Sequence, residues 1–173
     1  MPSLLIIEDG SGVPNANSYV SAANARIYAS SRQFNNLPAD DPTCEGYLLQ
    51  ATTWLEAQYD RYQGQQTAFT QALQWPRMNV FINDPFNPLA VNVIPPQLIA
   101  AQVMLAVNVA SGVVLFPTRS QPFVKTKKVG PLEKEFSEII GTLVTPTMTM
   151  IEALLKPLFW QKTGGGTLTA TRV

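Results

Sequence analysis

Ile94-Pro95-Pro96-Gln97-Leu98-Ile99-Ala100-Ala101-Gln102-Val103-Met104-Leu105-Ala106-Val107-Asn108-Val109 decides the reading of this chain. Proline is tolerated in the first helical turn, where an amide would be left without a partner anyway, so Pro95-Pro96 marks a helix start. After it, Leu98, Ile99, Gln102, Val103, Leu105, Ala106 and Val109 leave no wide polar face, and a helix apolar on most sides is a central one. It should end at Gly112 or a turn later, before Pro117.

Working outward, Asp41-Pro42-Thr43 opens another helix, with Tyr47, Ala51, Trp54, Leu55, Gln58 and Tyr62 on one face and an end near Gly64. Ser21 can cap a shorter helix running to about Arg32, with Ala22, Ala25 and Ala29 as a small-residue face. Met148 to Trp160 is a final short helix with Met150, Ile151, Leu154, Leu155 and Leu158 on its apolar side. Leu4 to Ile7 reads as a short buried strand or arm ended by Asp9-Gly10-Ser11-Gly12. Residues 65–94 match neither period and are punctuated by Pro76, Pro85 and Pro88, so they read as a long ordered loop held by something, with Trp75 as its core anchor. Phe123 to Val129 and Leu132 to Phe136 alternate about Gly130-Pro131, which predicts a β-hairpin over 122–137. Thr163 to Val173, with three consecutive glycines, reads as a flexible tail. The expected fold is mainly α: a small bundle of about four helices with a β-hairpin insertion and extended termini. It forms one domain over 1–160, with 161–173 as tail.

The chain of 173 residues balances twelve Lys plus Arg against twelve Asp plus Glu, and only 14% of residues are charged where about 25% is usual. Few charges mean little self-repulsion, which favours contact with copies or other proteins. The balance hides an asymmetry, because residues 1–118 carry a net −4 and residues 119–173 a net +4. Histidine is absent and Cys44 is the single cysteine, which removes the commonest general base, the commonest metal ligand and any internal disulfide. No phosphate-binding, dinucleotide, zincin or serine-hydrolase motif occurs, so neither enzyme chemistry nor a cofactor is expected. Glu8-Asp9 and Asp40-Asp41 could be metal carboxylates, but each pair sits beside Gly or Pro, where such side chains cap backbone amides. Cys44 reads as a packed or surface thiol. Met1 to Gly10 lacks the cationic start of a secretory signal, and no apolar run is long enough for a membrane span.

Lys125, Lys127 and Lys128 form the one basic cluster. They are either a solvated strand face or a surface lining a DNA passage, reaching two or three phosphates with no base readout. Phe159-Trp160 either folds back on the domain or anchors a partner.

Asn15-Ala-Asn-Ser-Tyr-Val-Ser21, Tyr47-Leu-Leu-Gln-Ala-Thr-Thr-Trp-Leu-Glu56, Leu73-Gln-Trp-Pro-Arg77, Ile94-Pro-Pro-Gln-Leu-Ile99 and Lys127-Lys-Val-Gly-Pro131 occur in this order. Together they resemble, over about residues 13–160, a tailed-phage family whose members are often labelled DnaT-like single-stranded-DNA-binding proteins and which is similar to head-tail connector adaptors. The chain departs from that pattern in an expanded stretch, Asn79 to Val93, and at Asn24, where an acidic residue is usual. The resemblance implies a structural virion protein, assembled in the host cytoplasm as a ring of twelve copies beneath the portal. The ring would extend the DNA channel and link it to a neck or tail protein. Leu158, Phe159, Trp160, Leu168 and Arg172 would dock on the portal, and Lys125, Lys127 and Lys128 would line a lumen passed by double-stranded DNA without sequence recognition. The family label implies an alternative: a replication accessory that binds single-stranded DNA.

Overall fold

The computed structural model describes residues 3–82, 84–116 and 148–160. Its elements, in chain order, are α1 (Ala22–Ser30), α2 (Asp41–Glu56), β1 (Gln65–Gln66), β2 (Arg77–Met78), α3 (Pro96–Ala110) and α4 (Thr149–Leu155), the last continued by one 3-10 turn, Lys156–Leu158. The mainly-α architecture follows the sequence reading. The expected hairpin over 122–137 and the tail 161–173 lie outside the described residues.

α3 is the central helix. Pro96 occupies its first turn, and Leu98, Ala101, Val103, Leu105 and Ala106 are fully buried where α1, α2 and α4 pack against it. Each large apolar side chain removed from water there contributes about 1.5–3 kcal/mol. Its end is a Schellman motif: the Val113 amide bonds the Asn108 carbonyl at 3.0 Å and the Gly112 amide the Val109 carbonyl at 2.9 Å. That closure needs a left-handed residue, which Gly112 supplies at φ +88°.

α1 and α2 begin as their caps predict. Ser21 Oγ accepts the Asn24 amide at 3.2 Å, and Asp40 Oδ2 the Thr43 amide at 3.0 Å. The far end of α2 differs from the expectation. The helix stops at Glu56, and successive i→i−3 bonds at Gln58, Tyr59 and Arg61 carry the chain to Tyr62. Its buried face is Cys44, Leu48, Ala51, Thr52 and Leu55, rotated from the stripe through Tyr47, Trp54 and Gln58. Gly64 serves the next element instead: at φ +65° it brings its backbone so close to the Met78 carbonyl that a Cβ would collide with it.

The long loop contains β pairing that its irregular spacing concealed. β1 and β2 are antiparallel, with Gln65 opposite Met78 and Gln66 opposite Arg77. Two residues a side leave no alternation to detect. Leu4 to Ile7 is an arm with a single parallel bridge from Ile7 to Ser18, Leu5 inward and Leu4 and Ile6 exposed. Glu45 on α2 holds its start, accepting Ser3 Oγ at 2.7 Å and the Leu4 amide at 2.8 Å.

α4 returns to α3 with Ile151 and Leu155 buried, Leu154 half-buried and Met150 exposed. Beyond it the chain pairs with residues 61–63. Trp160 donates its amide to the Arg61 carbonyl at 2.8 Å, the Gln63 amide bonds the Leu158 carbonyl at 2.9 Å, and Gln63 Nε2 reaches the Pro157 carbonyl at 2.9 Å.

Candidate functional site

Several acidic side chains of the described residues are spent on the chain's own backbone. Glu8 Oε1 accepts the amides of Gly10 and Gly12, both at 2.9 Å, and Oε2 that of Val13 at 2.8 Å, so the buried carboxylate organises the turn it precedes. Hydrogen bonds from the Ser11 hydroxyl and amide lower the pKa of exposed Asp9, and those from Thr43 do the same for Asp40. Asp41 pairs with Arg26 at 2.7 Å. These acids therefore act on backbone and neighbours, and no group of three potential ligands that could hold a metal occurs among the described residues. Cys44 is fully buried, and burial pushes its thiol pKa up.

Two polar hubs place the loops around α1. Gln102, fully buried within the apolar run Leu98 to Val107 of α3, accepts the Tyr19 amide at 3.0 Å. Its Nε2 lies 2.7 Å from Ser18 Oγ and 2.8 Å from Thr52 Oγ1. Glu56, at the end of α2, accepts the Tyr19 hydroxyl at 2.6 Å and the Gln74 amide at 2.7 Å, while the Trp75 amide donates to the Tyr19 oxygen at 3.3 Å. Arg77 then ties the loop to the strand start, donating to the Gln63 carbonyl at 2.7 Å, the Gly64 carbonyl at 2.8 Å and Gln74 Oε1 at 2.9 Å. Neither hub was expected from the sequence. The one available signal was a lone Gln in the apolar run of α3.

Burial raises the Glu56 carboxyl pKa above its ordinary 4.5, and the hydrogen bonds from Tyr19 and Gln74 pull it back only in part. A pKa higher in the folded than in the unfolded chain gives stability that is full below about 4.5 and is lost as pH rises through the folded value. Glu56→Gln keeps an acceptor for Gln74 and removes the titration. Thermal melts from pH 4 to pH 7 should therefore show a flatter profile for the variant, and parallel profiles would contradict this role.

Above these hubs lies an open groove of about 580 Å3 between the N-terminal arm and α1, lined by Tyr19, Ser21, Asn24, Ile27, Tyr28 and Ile99 among others. None of its lining residues is acidic. Arg32, which is not itself a lining residue, stacks over the lining Tyr28, 3.6 Å from the ring centroid.

The residues expected to dock on a partner separate. Leu158 and Phe159 are buried in this chain's own core, with Phe159 against Tyr62 at 5.4 Å and beneath Arg61 at 4.1 Å. Trp160 is 64% exposed. Leu168, Arg172 and the cluster Lys125, Lys127, Lys128 lie outside the described residues. The described residues hold nine acidic and five basic side chains, a net −4, so the compensating basic residues belong to 117–147 and 161–173. No helix among the described residues is long and apolar enough to cross a membrane.

No curated protein and no solved structure matches the chain. A protein family does, over residues 3–173, under the description "Putative DnaT-like ssDNA binding protein". That span is nearly the whole polypeptide, and the chain belongs to this DnaT-like family.

Proposed function

We propose that this protein binds single-stranded DNA without catalysing any reaction on it. The observation that carries the reading is the family match across residues 3–173. The charge distribution supports it: seven of the twelve basic residues, Lys125, Lys127 and Lys128 among them, fall outside the described residues, which are net acidic. Backbone phosphates would be met first by that basic cluster, without base readout, and binding should weaken steeply with salt. Anisotropy titrations of a labelled oligodeoxythymidine at several salt concentrations test this. Replacing all three lysines with glutamine should reduce the salt slope by about two, at ~0.7 per phosphate contact on single strands. Absence of binding by the intact protein at low salt would defeat the reading.

A second reading, the ring-forming head-tail adaptor beneath a portal, stands on the sequence resemblance and on one structural observation. Phe69 and Phe86 on the long loop are 102% and 87% exposed, and Trp160 is also open, on a body short of charge. Large aromatics held out singly are anchors suited to protein contacts. The family description itself concerns DNA and carries nothing on a virion, ring or portal. Negative-stain images of the protein with and without portal distinguish the two: deleting Gly164 to Val173 should abolish decoration on the adaptor reading, and decoration that survives would remove the tail from that role.

A further inference from the structure

We propose that the groove beside α1 is a nucleobase seat, in which one base of a single strand lies against Tyr28 and Arg32 while its phosphate meets the Arg32 guanidinium. This rests on the single-stranded-DNA reading above and adds to it a site among the described residues, distinct from the lysine cluster. Three observations carry it. The groove, at about 580 Å3, is within the range for sites that take small planar ligands. Its walls offer what an unstacked base uses: the ring of Tyr28, the apolar side chains of Ile27 and Ile99, and the polar side chain of Asn24 beside the hydroxyls of Ser21 and Ser31, which already cap α1 and bond the Tyr28 carbonyl.

Charge decides the occupant. α1 carries Arg26 and no acid, in a body that is net −4, and Arg32 follows immediately beyond its end. Arg26 is engaged with Asp41 at 2.7 Å. Arg32 is exposed and makes no ion pair among the described residues, bonding only Ser31 Oγ at 3.1 Å and the Tyr28 carbonyl at 3.4 Å. A guanidinium stacked on a ring, with no carboxylate lining the groove, complements a phosphate and offers a base a flat cationic surface. An acidic or purely apolar partner would use only half of these features.

The test uses the full chain and fluorescein-labelled oligodeoxythymidine, with wild type, Tyr28→Ala, Arg32→Gln and the triple lysine variant compared across salt. Tyr28→Ala should weaken binding about tenfold, the scale of one lost base stack. Arg32→Gln should lower the salt slope by about 0.7. Because Tyr28 is half-buried, circular dichroism melts accompany it, and exposed Arg32 supplies the second, fold-neutral variant. If both variants bind as wild type while the triple lysine variant fails, the seat is overturned and the single-strand reading survives. If wild type itself does not bind, that reading fails and takes the seat with it. If the α1 variants instead dissociate an oligomer in sedimentation, with DNA affinity unchanged, the groove belongs to a second copy and the seat is equally overturned.

Discussion

Trp75→Ala should lower the melting temperature by roughly 10 °C. Trp75 is fully buried in the loop between β1 and β2, its ring edge-on to Tyr62 at 5.7 Å and 82°, and Tyr62 in turn packs on Phe159. Truncating a buried tryptophan to alanine costs about 3–5 kcal/mol, and at this chain length each kcal/mol shifts the midpoint by about 2–4 °C. Three segments distant in sequence lose a shared partner at once: the loop, the turn at Tyr62 and the C-terminal pairing at Phe159. Trp75→Phe isolates the packing component. The indole Nε1 is buried without a hydrogen-bond partner among the described residues, so phenylalanine removes an unpaired donor along with some volume and should cost less than half as much. Scanning calorimetry of both variants checks the order, and a Trp75→Ala shift below about 2 °C would show that the site is not the anchor of the loop.

Gln102→Leu should be comparably severe for a different reason. Leucine is close in size and suits the apolar face of α3, so a pure packing account predicts little change or a gain. The hydrogen-bond geometry predicts the opposite, because the Tyr19 amide loses its acceptor in a buried place while Ser18 Oγ and Thr52 Oγ1 lose a donor. One orphaned buried group costs about 1–3 kcal/mol, and the destabilisation here should reach ~2–4 kcal/mol. Chemical denaturation gives the value directly. A neutral result would show that the segment 18–20 is positioned by its apolar contacts alone.

These two residues also show how far the sequence could be read. Helix starts were legible because they are local: Ser21, Asp40 and Pro96 each act within one turn, on amides three residues away or on their own φ angle. Trp75 as the loop anchor was legible for a similar reason, since a large aromatic in a proline-punctuated loop has few other places to go. The end of α2 was not, because Gly64 serves the hairpin, and what fixes its role is the Met78 carbonyl fourteen residues on. Gln102 and Glu56 bond across 83 and 37 residues to Tyr19, a pairing no periodicity encodes. Phe159 and Trp160 present the same difficulty on a smaller scale. Neighbours in sequence, they divide between core and solvent because pairing with residues 61–63 turns one side chain in and the next out. The groove beside α1 falls between these cases: Tyr28 and Arg32 stand four apart, close enough to stack across the end of α1, but the open space that Tyr28 borders also needs Ile7 and Ile99 brought in from distant parts of the chain.

The pairing of Arg61 and Gln63 with residues 157–160 bears on how the polypeptide can be made. Leu155, Leu158 and Phe159 complete the core around α3, and they are the last buried apolar residues, among those described, to leave the ribosome. Until then, newly synthesised α1, α2 and α3 lack the apolar side chains that α4 and the segment after it contribute, a state in which nascent chains are captured by chaperones or stick to one another. A product cut short before Thr149 would lack those side chains permanently, so translation errors upstream should yield insoluble fragments that proteases clear and that do not compete with intact molecules.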